Sequence, residues 1–141
     1  MKNDGFTLLE VITVFSLIGI LIALSIPKIS ADFRYMDKIA EEFLGDARFI
    51  QMEAMKGFAA KYQIAVYSGT GRYYLKNNTL IIKTVKVKER YKIKYTGEGE
   101  LYFNADGTPI NPGTFTITDT KTKEEKSVTV VPATGRTIIK E

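Results

Sequence analysis

The chain has 141 residues, 45% of them hydrophobic and 26% charged, with a formal charge of +4; this is the size of one ordinary domain and excludes a multidomain enzyme. It contains neither Cys nor His, which excludes a disulfide framework, the common zinc sites and any nucleophile–histidine catalysis. The charge is uneven: residues 1–60 sum to −2, residues 61–100 to +6 and residues 101–141 to zero.

From Phe6 to Ile26 there are 21 residues with one charge among them, Glu10. At about 1.5 Å per residue such a helix is roughly 31 Å long, matching a bilayer's hydrocarbon thickness of about 30 Å. A signal peptide, a plain membrane anchor and something more specialised compete for the segment. Ala23-Leu24-Ser25 offers a small-residue cleavage site. Against a signal peptide, Lys2 is cancelled by Asp4, the apolar stretch is too long, and Glu10 interrupts it. A carboxylate in a spanning segment costs at least about 2.5 kcal/mol and normally faces a partner or a polar cavity. The next basic residue after Lys2 is Lys28, so the segment itself supplies no partner. The cation is then an amine made by cutting near Gly5 or a group on another subunit; otherwise Glu10 lies close enough to the interface to reach water.

Gly5-Phe6-Thr7-Leu8-Leu9-Glu10 and the apolar run behind it resemble the type IV prepilin signature, shared by pilins and by the pseudopilins of type II secretion and competence systems. The resemblance covers residues 5–27. It implies that a prepilin peptidase cuts between Gly5 and Phe6 and that Phe6 is N-methylated. It also implies that Glu10 meets the Phe6 amine of a neighbouring subunit. Gly19 and Pro27 fall where such proteins commonly have them. Pro27 lacks an amide hydrogen and crowds the carbonyl of Ala23, so the helix should kink or loosen there. Gly19 weakens a helix by roughly 1 kcal/mol relative to Ala, and in a membrane it equally permits close helix packing.

Beyond Pro27, apolar residues recur at Ile29, Phe33, Met36, Ala40, Phe43, Leu44, Ala47, Ile50, Ala54 and Phe58, the spacing of an amphipathic helix. Its polar positions include Asp32, Asp37, Glu41, Glu42, Asp46 and Glu53, and Gly57 offers a stop. If Pro27 only bends the chain, helix runs from about Phe6 to Lys56. From Lys61 the period changes to two, with strands at Tyr62 to Tyr67, Tyr73 to Lys76, Thr79 to Lys88, Tyr91 to Tyr95, Glu100 to Phe103, Thr114 to Thr118, Ser127 to Val131 and Arg136 to Lys140. Turn residues separate them, and Asn104 to Gly113 reads as a surface loop. Phe103-Asn104-Ala105-Asp106-Gly107-Thr108 and the closing Gly135-Arg136 before Thr137-Ile138-Ile139 are similar to the head of the H-type minor pseudopilins and their pilus-side relatives. The expected class is α+β and type IV pilin-like: a leader (1–5), a transmembrane and filament-core helix (6–27), its amphipathic second half (28–58), and an antiparallel sheet or β-sandwich head (59–141).

Lys86, Lys88, Arg90, Lys92 and Lys94 occupy alternate positions. On one strand they form a row of cations about 6.8 Å apart, a spacing that suits an anionic polymer. If Lys88-Glu89-Arg90 turns, they divide between two adjacent strands and still share a face. A solvated sheet face or a protected edge carries the same charges, and anionic headgroups are a third destination. Arg136 has only Lys140 near it. Asp106-Gly107 lacks the spaced oxygen ligands of a calcium loop and reads as a hairpin turn. Gly135 reads as a turn at positive φ. Tyr73, Tyr74, Tyr91, Tyr95 and Tyr102 read as packing or cross-strand partners.

These readings make the chain a minor pilin or pseudopilin, a non-enzymatic structural subunit with no cofactor and no metal. Its partners are other pilin subunits, the prepilin peptidase, membrane lipid before assembly, and DNA or secreted cargo. It is placed in the bacterial inner membrane as a single pass, then in an extracytoplasmic filament or at the cell surface. The rival is a membrane-tethered DNA receptor for DNA uptake; a secreted β domain with a mature N-terminus near Ile26 is a third reading.

Overall fold

The computed structural model describes residues 7–25 and 31–140. The chain divides into two compact units, residues 1–31 and 32–141.

The first unit holds helix α1 (Leu8–Ser25), 18 residues or about 27 Å. Among the described residues no helix is long and apolar enough to cross a membrane; the segment expected to do so, Phe6 to Ile26, begins and ends outside them. Pro27, Gly5 and Phe6 also lie outside the described residues.

Among the described residues the second unit is built on helix α2 (Ala31–Glu53) and nine strands: β1 (Tyr62–Tyr67), β2 (Arg72–Asn77), β3 (Leu80–Lys86), β4 (Tyr91–Tyr95), β5 (Tyr102–Phe103), β6 (Pro109–Ile110), β7 (Thr114–Asp119), β8 (Glu125–Val130) and β9 (Thr137–Lys140). They form three antiparallel sheets, ordered β1-β2-β3, β4-β7-β8-β9 and β5-β6. A single bridge, in which Ile64 and Leu101 exchange backbone hydrogen bonds of 2.8 and 2.9 Å, ties β1 to the residue preceding β5.

α2 forms because its apolar residues return every three to four positions, and it is held by the sheets its stripe covers. Met36, Ile39, Ala40, Phe43, Ala47 and Ile50 are all buried, with Ala54 just beyond. The helix gives way to a single wide turn, Ala54–Phe58, in which Gly57 has φ +99°, a value that other residues adopt only at a cost. Phe58 lies past this break and is exposed, so it leaves the stripe on which spacing alone had placed it. Inside, the rings of Phe43 and Phe115 stack at 4.2 Å, and Tyr73 meets both edge-on at 5.6 and 5.9 Å. One helical residue thus joins β2 of one sheet to β7 of the other.

Asp46 departs from its expected place on the polar face: it is buried. It lies on the helix side between Phe43 and Ile50, and its charge is matched there. The Tyr73 hydroxyl donates to its carboxylate at 2.8 Å, and Lys83 Nζ approaches both oxygens at 2.8 Å while also pairing with Glu42 at 3.0 Å. Burial, together with the Asp46 charge and hydrogen bond, pushes the Tyr73 phenol far above its usual range.

Asn104 to Gly113 is not a plain surface loop: Pro109–Ile110 pairs with Tyr102–Phe103 as a short hairpin. Proline is tolerated because the strand has a partner on one side only. The Asp106 carboxylate accepts hydrogen bonds from the Thr108 N–H and hydroxyl at 3.2 and 3.0 Å, which hold its pKa below the ordinary carboxylate value. Gly135, at φ +63°, sits where a Cβ would lie 2.5 Å from both Gln51 Nε2 and the Gly107 carbonyl oxygen. Gln51 donates to that same oxygen at 3.0 Å, so helix, hairpin and β9 approach meet over a residue with no side chain.

Candidate functional site

The N-terminal helix begins at Thr7, whose carbonyl accepts the N–H of Glu10 (3.0 Å) and of Val11 (3.2 Å), while its hydroxyl lies 3.3 Å from the Glu10 N–H. Thr7-Leu8-Leu9-Glu10 is the Ser/Thr-x-x-Glu spacing of a helix start, and it puts the Glu10 carboxylate in the first turn, where the helix dipole favours a negative charge.

The rest of α1 is apolar around its whole circumference. Leu8, Leu9, Val11, Ile12, Val14, Leu17 and Ile20 are all exposed, and at about 100° per residue they cover every side. A helix apolar on all sides is stable in lipid or in a bundle of its own kind. The hydroxyls of Thr13 and Ser16 are satisfied within the helix: Ser16 donates to the Ile12 carbonyl at 2.8 Å, and Thr13 donates to that of Leu9. Among the described residues no side chain pairs with the Glu10 carboxylate. At Gly19 an added Cβ would meet nothing within 4 Å, so contacts inside the chain do not require glycine there.

The basic run is divided. Residues 87–90 interrupt it between β3 and β4, which belong to different sheets; the row of five cations does not form, nor are the two strands hydrogen-bonded neighbours. Arg90 is consumed by Asp119: Nε donates to one carboxylate oxygen at 2.9 Å and Nη2 to the other at 2.5 Å. The Arg90 hydrogen bond, with backbone donors from Lys121 and Thr122, brings the Asp119 pKa down to about 2. Lys88 Nζ sits over the Tyr35 ring, 4.6 Å from its centre. Lys86, Lys92 and Lys94 are exposed. Arg136 is exposed and lines, with Arg48, a groove between α2 and β9. Spacing missed the partners of this run, Asp119 and Tyr35, because both lie far from it in the chain. Of the five tyrosines expected on strands, Tyr73 and Tyr91 are in the core, Tyr95 donates to the Asn111 carbonyl at 2.7 Å and Tyr74 packs edge-on against Tyr67.

Residues 1–26 match the family model described as the prokaryotic N-terminal methylation motif. That motif ahead of a helix packed on antiparallel sheets supports a type IV pilin or pseudopilin, a class that implies processing by prepilin peptidase and assembly with other pilin subunits. Among solved structures, the chain is similar to the minor pseudopilin EpsH from the Type 2 Secretion System of Vibrio cholerae, with 16% identity and a TM-score of 0.60 over 74% of this chain and 95% of that one. At that identity the likeness is one of fold. No curated protein sequence matches the chain.

Proposed function

We propose that this chain is a minor, H-type pseudopilin, a structural subunit of a type II secretion, competence or pilus machine. Prepilin peptidase cuts between Gly5 and Phe6, and Phe6 is then methylated. The segment from residue 6 to 27 holds the subunit in the inner membrane as a single pass, surrounded by lipid, until it enters an extracytoplasmic filament. There Glu10 pairs with the Phe6 amine of a neighbour, Gly19 and Pro27 let the helix adjust, and the head faces other minor subunits or secreted cargo. The observation that carries this reading is α1 itself: apolar on every side, with one carboxylate, in its first turn.

The test replaces Glu10 by Ala or by Gln in the full chain in its native host. Membrane extraction should be unchanged, while recovery in sheared filaments should fall at least about tenfold, the loss of one charge-assisted hydrogen bond. Unchanged incorporation of the Ala variant removes Glu10 from assembly. Intact-mass analysis checks the processing: a methylated N-terminus at Phe6 supports the reading, and one at Ile26 ends it.

A further inference from the structure

The turn joining β1 to β2, Ser68–Gly71, and the segment linking β3 to β4 border an open cleft of about 470 Å³. Its walls carry Arg72, Lys86, Lys88 and Lys92 against one carboxylate, Glu89. A concavity with a surplus of positive charge concentrates anions.

The walls are held in place. The Val87 N–H donates to the Gly71 carbonyl at 3.0 Å, and the Lys88 N–H donates to the Tyr35 hydroxyl at 3.0 Å. Gly71, at φ +59°, lets the turn come close: a Cβ there would stand 3.2 Å from Val87 Cγ2. A second, independent observation points the same way. The Arg72 Nε is buried and has no hydrogen-bond partner among the described residues, although its side chain lines the cleft. A buried donor without an acceptor is costly, and a guanidinium matches the paired oxygens of an oxyanion better than any other side chain.

We propose that this cleft binds a multiply charged oxyanion of the phosphate type, with the Arg72 guanidinium, Lys86 and Lys92 as the charges that hold it. The site is independent of the assembly role of α1. It also sorts the basic run: Arg90, already held by Asp119, and Lys94 do not line the cleft, so the recognition is of a compact group and not of a polymer lying along a strand.

The test uses the full ¹⁵N-labelled chain in uncharged maltoside micelles, titrated with pyrophosphate and, at matched ionic strength, with sodium chloride. Saturable shifts confined to the amides of residues 69–72 and 86–88 are expected with pyrophosphate alone. They should weaken about tenfold in Arg72→Gln, and similarly in Lys86→Gln/Lys92→Gln, whose exposed sites leave the fold intact. Shifts that are the same for chloride, or that survive the double Lys variant unchanged, overturn the proposal. Nanodiscs of phosphatidylcholine with and without phosphatidic acid identify the source: movement of the same amides with phosphatidic acid assigns a lipid headgroup, and movement with soluble pyrophosphate only assigns a free phosphate. Shifts produced by duplex DNA with none from pyrophosphate overturn the proposal in favour of an extended polyanion surface.

Discussion

Replacing Asp46 by Ala should be among the more damaging polar substitutions in the head, although the residue sits on a helix rich in acidic side chains. The Tyr73 hydroxyl, on a ring with no exposed surface, has its 2.8 Å bond to Asp46, and Lys83 places its ammonium 2.8 Å from each carboxylate oxygen. Removing the carboxylate breaks a hydrogen bond to a charged acceptor and leaves a buried phenol unsatisfied, together about 3 kcal/mol. Lys83 retains Glu42 at 3.0 Å and contributes little to the loss. Tyr73→Phe deletes only the donor, since Asp46 keeps Lys83, and should cost about 1.5 kcal/mol. The double variant has no orphaned hydroxyl, so its cost should fall short of the summed single costs by about 1 kcal/mol or more. For a unit of this size about 3 kcal/mol lowers Tm by roughly 10 °C, measurable by near-ultraviolet circular dichroism of the full chain in neutral micelles. Strictly additive costs would refute the assignment of Tyr73 and Asp46 to one coupled network.

The Arg90–Asp119 pair gives the head an acid limit. Because the folded-state pKa of Asp119 lies at about 2, below the ordinary aspartate value of 3.8, its contribution is complete above pH 4 and is lost as pH falls from about 4 toward 2. Arg90→Gln should flatten the stability profile across that interval in acid-titration melts; an unaltered slope would assign the acid limit elsewhere. Gly135→Ala combines a left-handed backbone, at about 1–2 kcal/mol, with a methyl forced to 2.5 Å from the Gly107 carbonyl oxygen. It should destabilise by about 2–4 kcal/mol, read in urea melts, and a change below about 0.5 kcal/mol would show that the three segments do not meet as described.

The N-terminal motif was legible because it is linear: its spacing and its one carboxylate need no fold to be seen. The α2 stripe was legible for the same reason from Met36 to Ala54, and most strand edges fell within two residues of the observed ones. Ile39 also fits the stripe, three residues after Met36 and four before Phe43, but Ala40 fills the same turn and was read in its place. Asp46 was read from its charge, whereas its position between Phe43 and Ile50 was the better guide. The fate of the basic run depended on pairings at long range. Lys88 and Tyr35 are 53 residues apart and Arg90 and Asp119 are 29 apart, and no local pattern records which sheet a strand joins.

Along α1, Glu10, Thr13, Ser16 and Gly19 break the run of large apolar side chains at intervals of three residues. Three residues turn a helix through about 300°, so each step moves the mark back by about 60° and the four together trace a slanted seam halfway around the cylinder. Glu10 and Gly19 therefore look in opposite directions. A straight neighbour lying along α1 can touch one end of this seam or the other but never both, so the helix is marked for at least two companions, with its rotation set by these four positions.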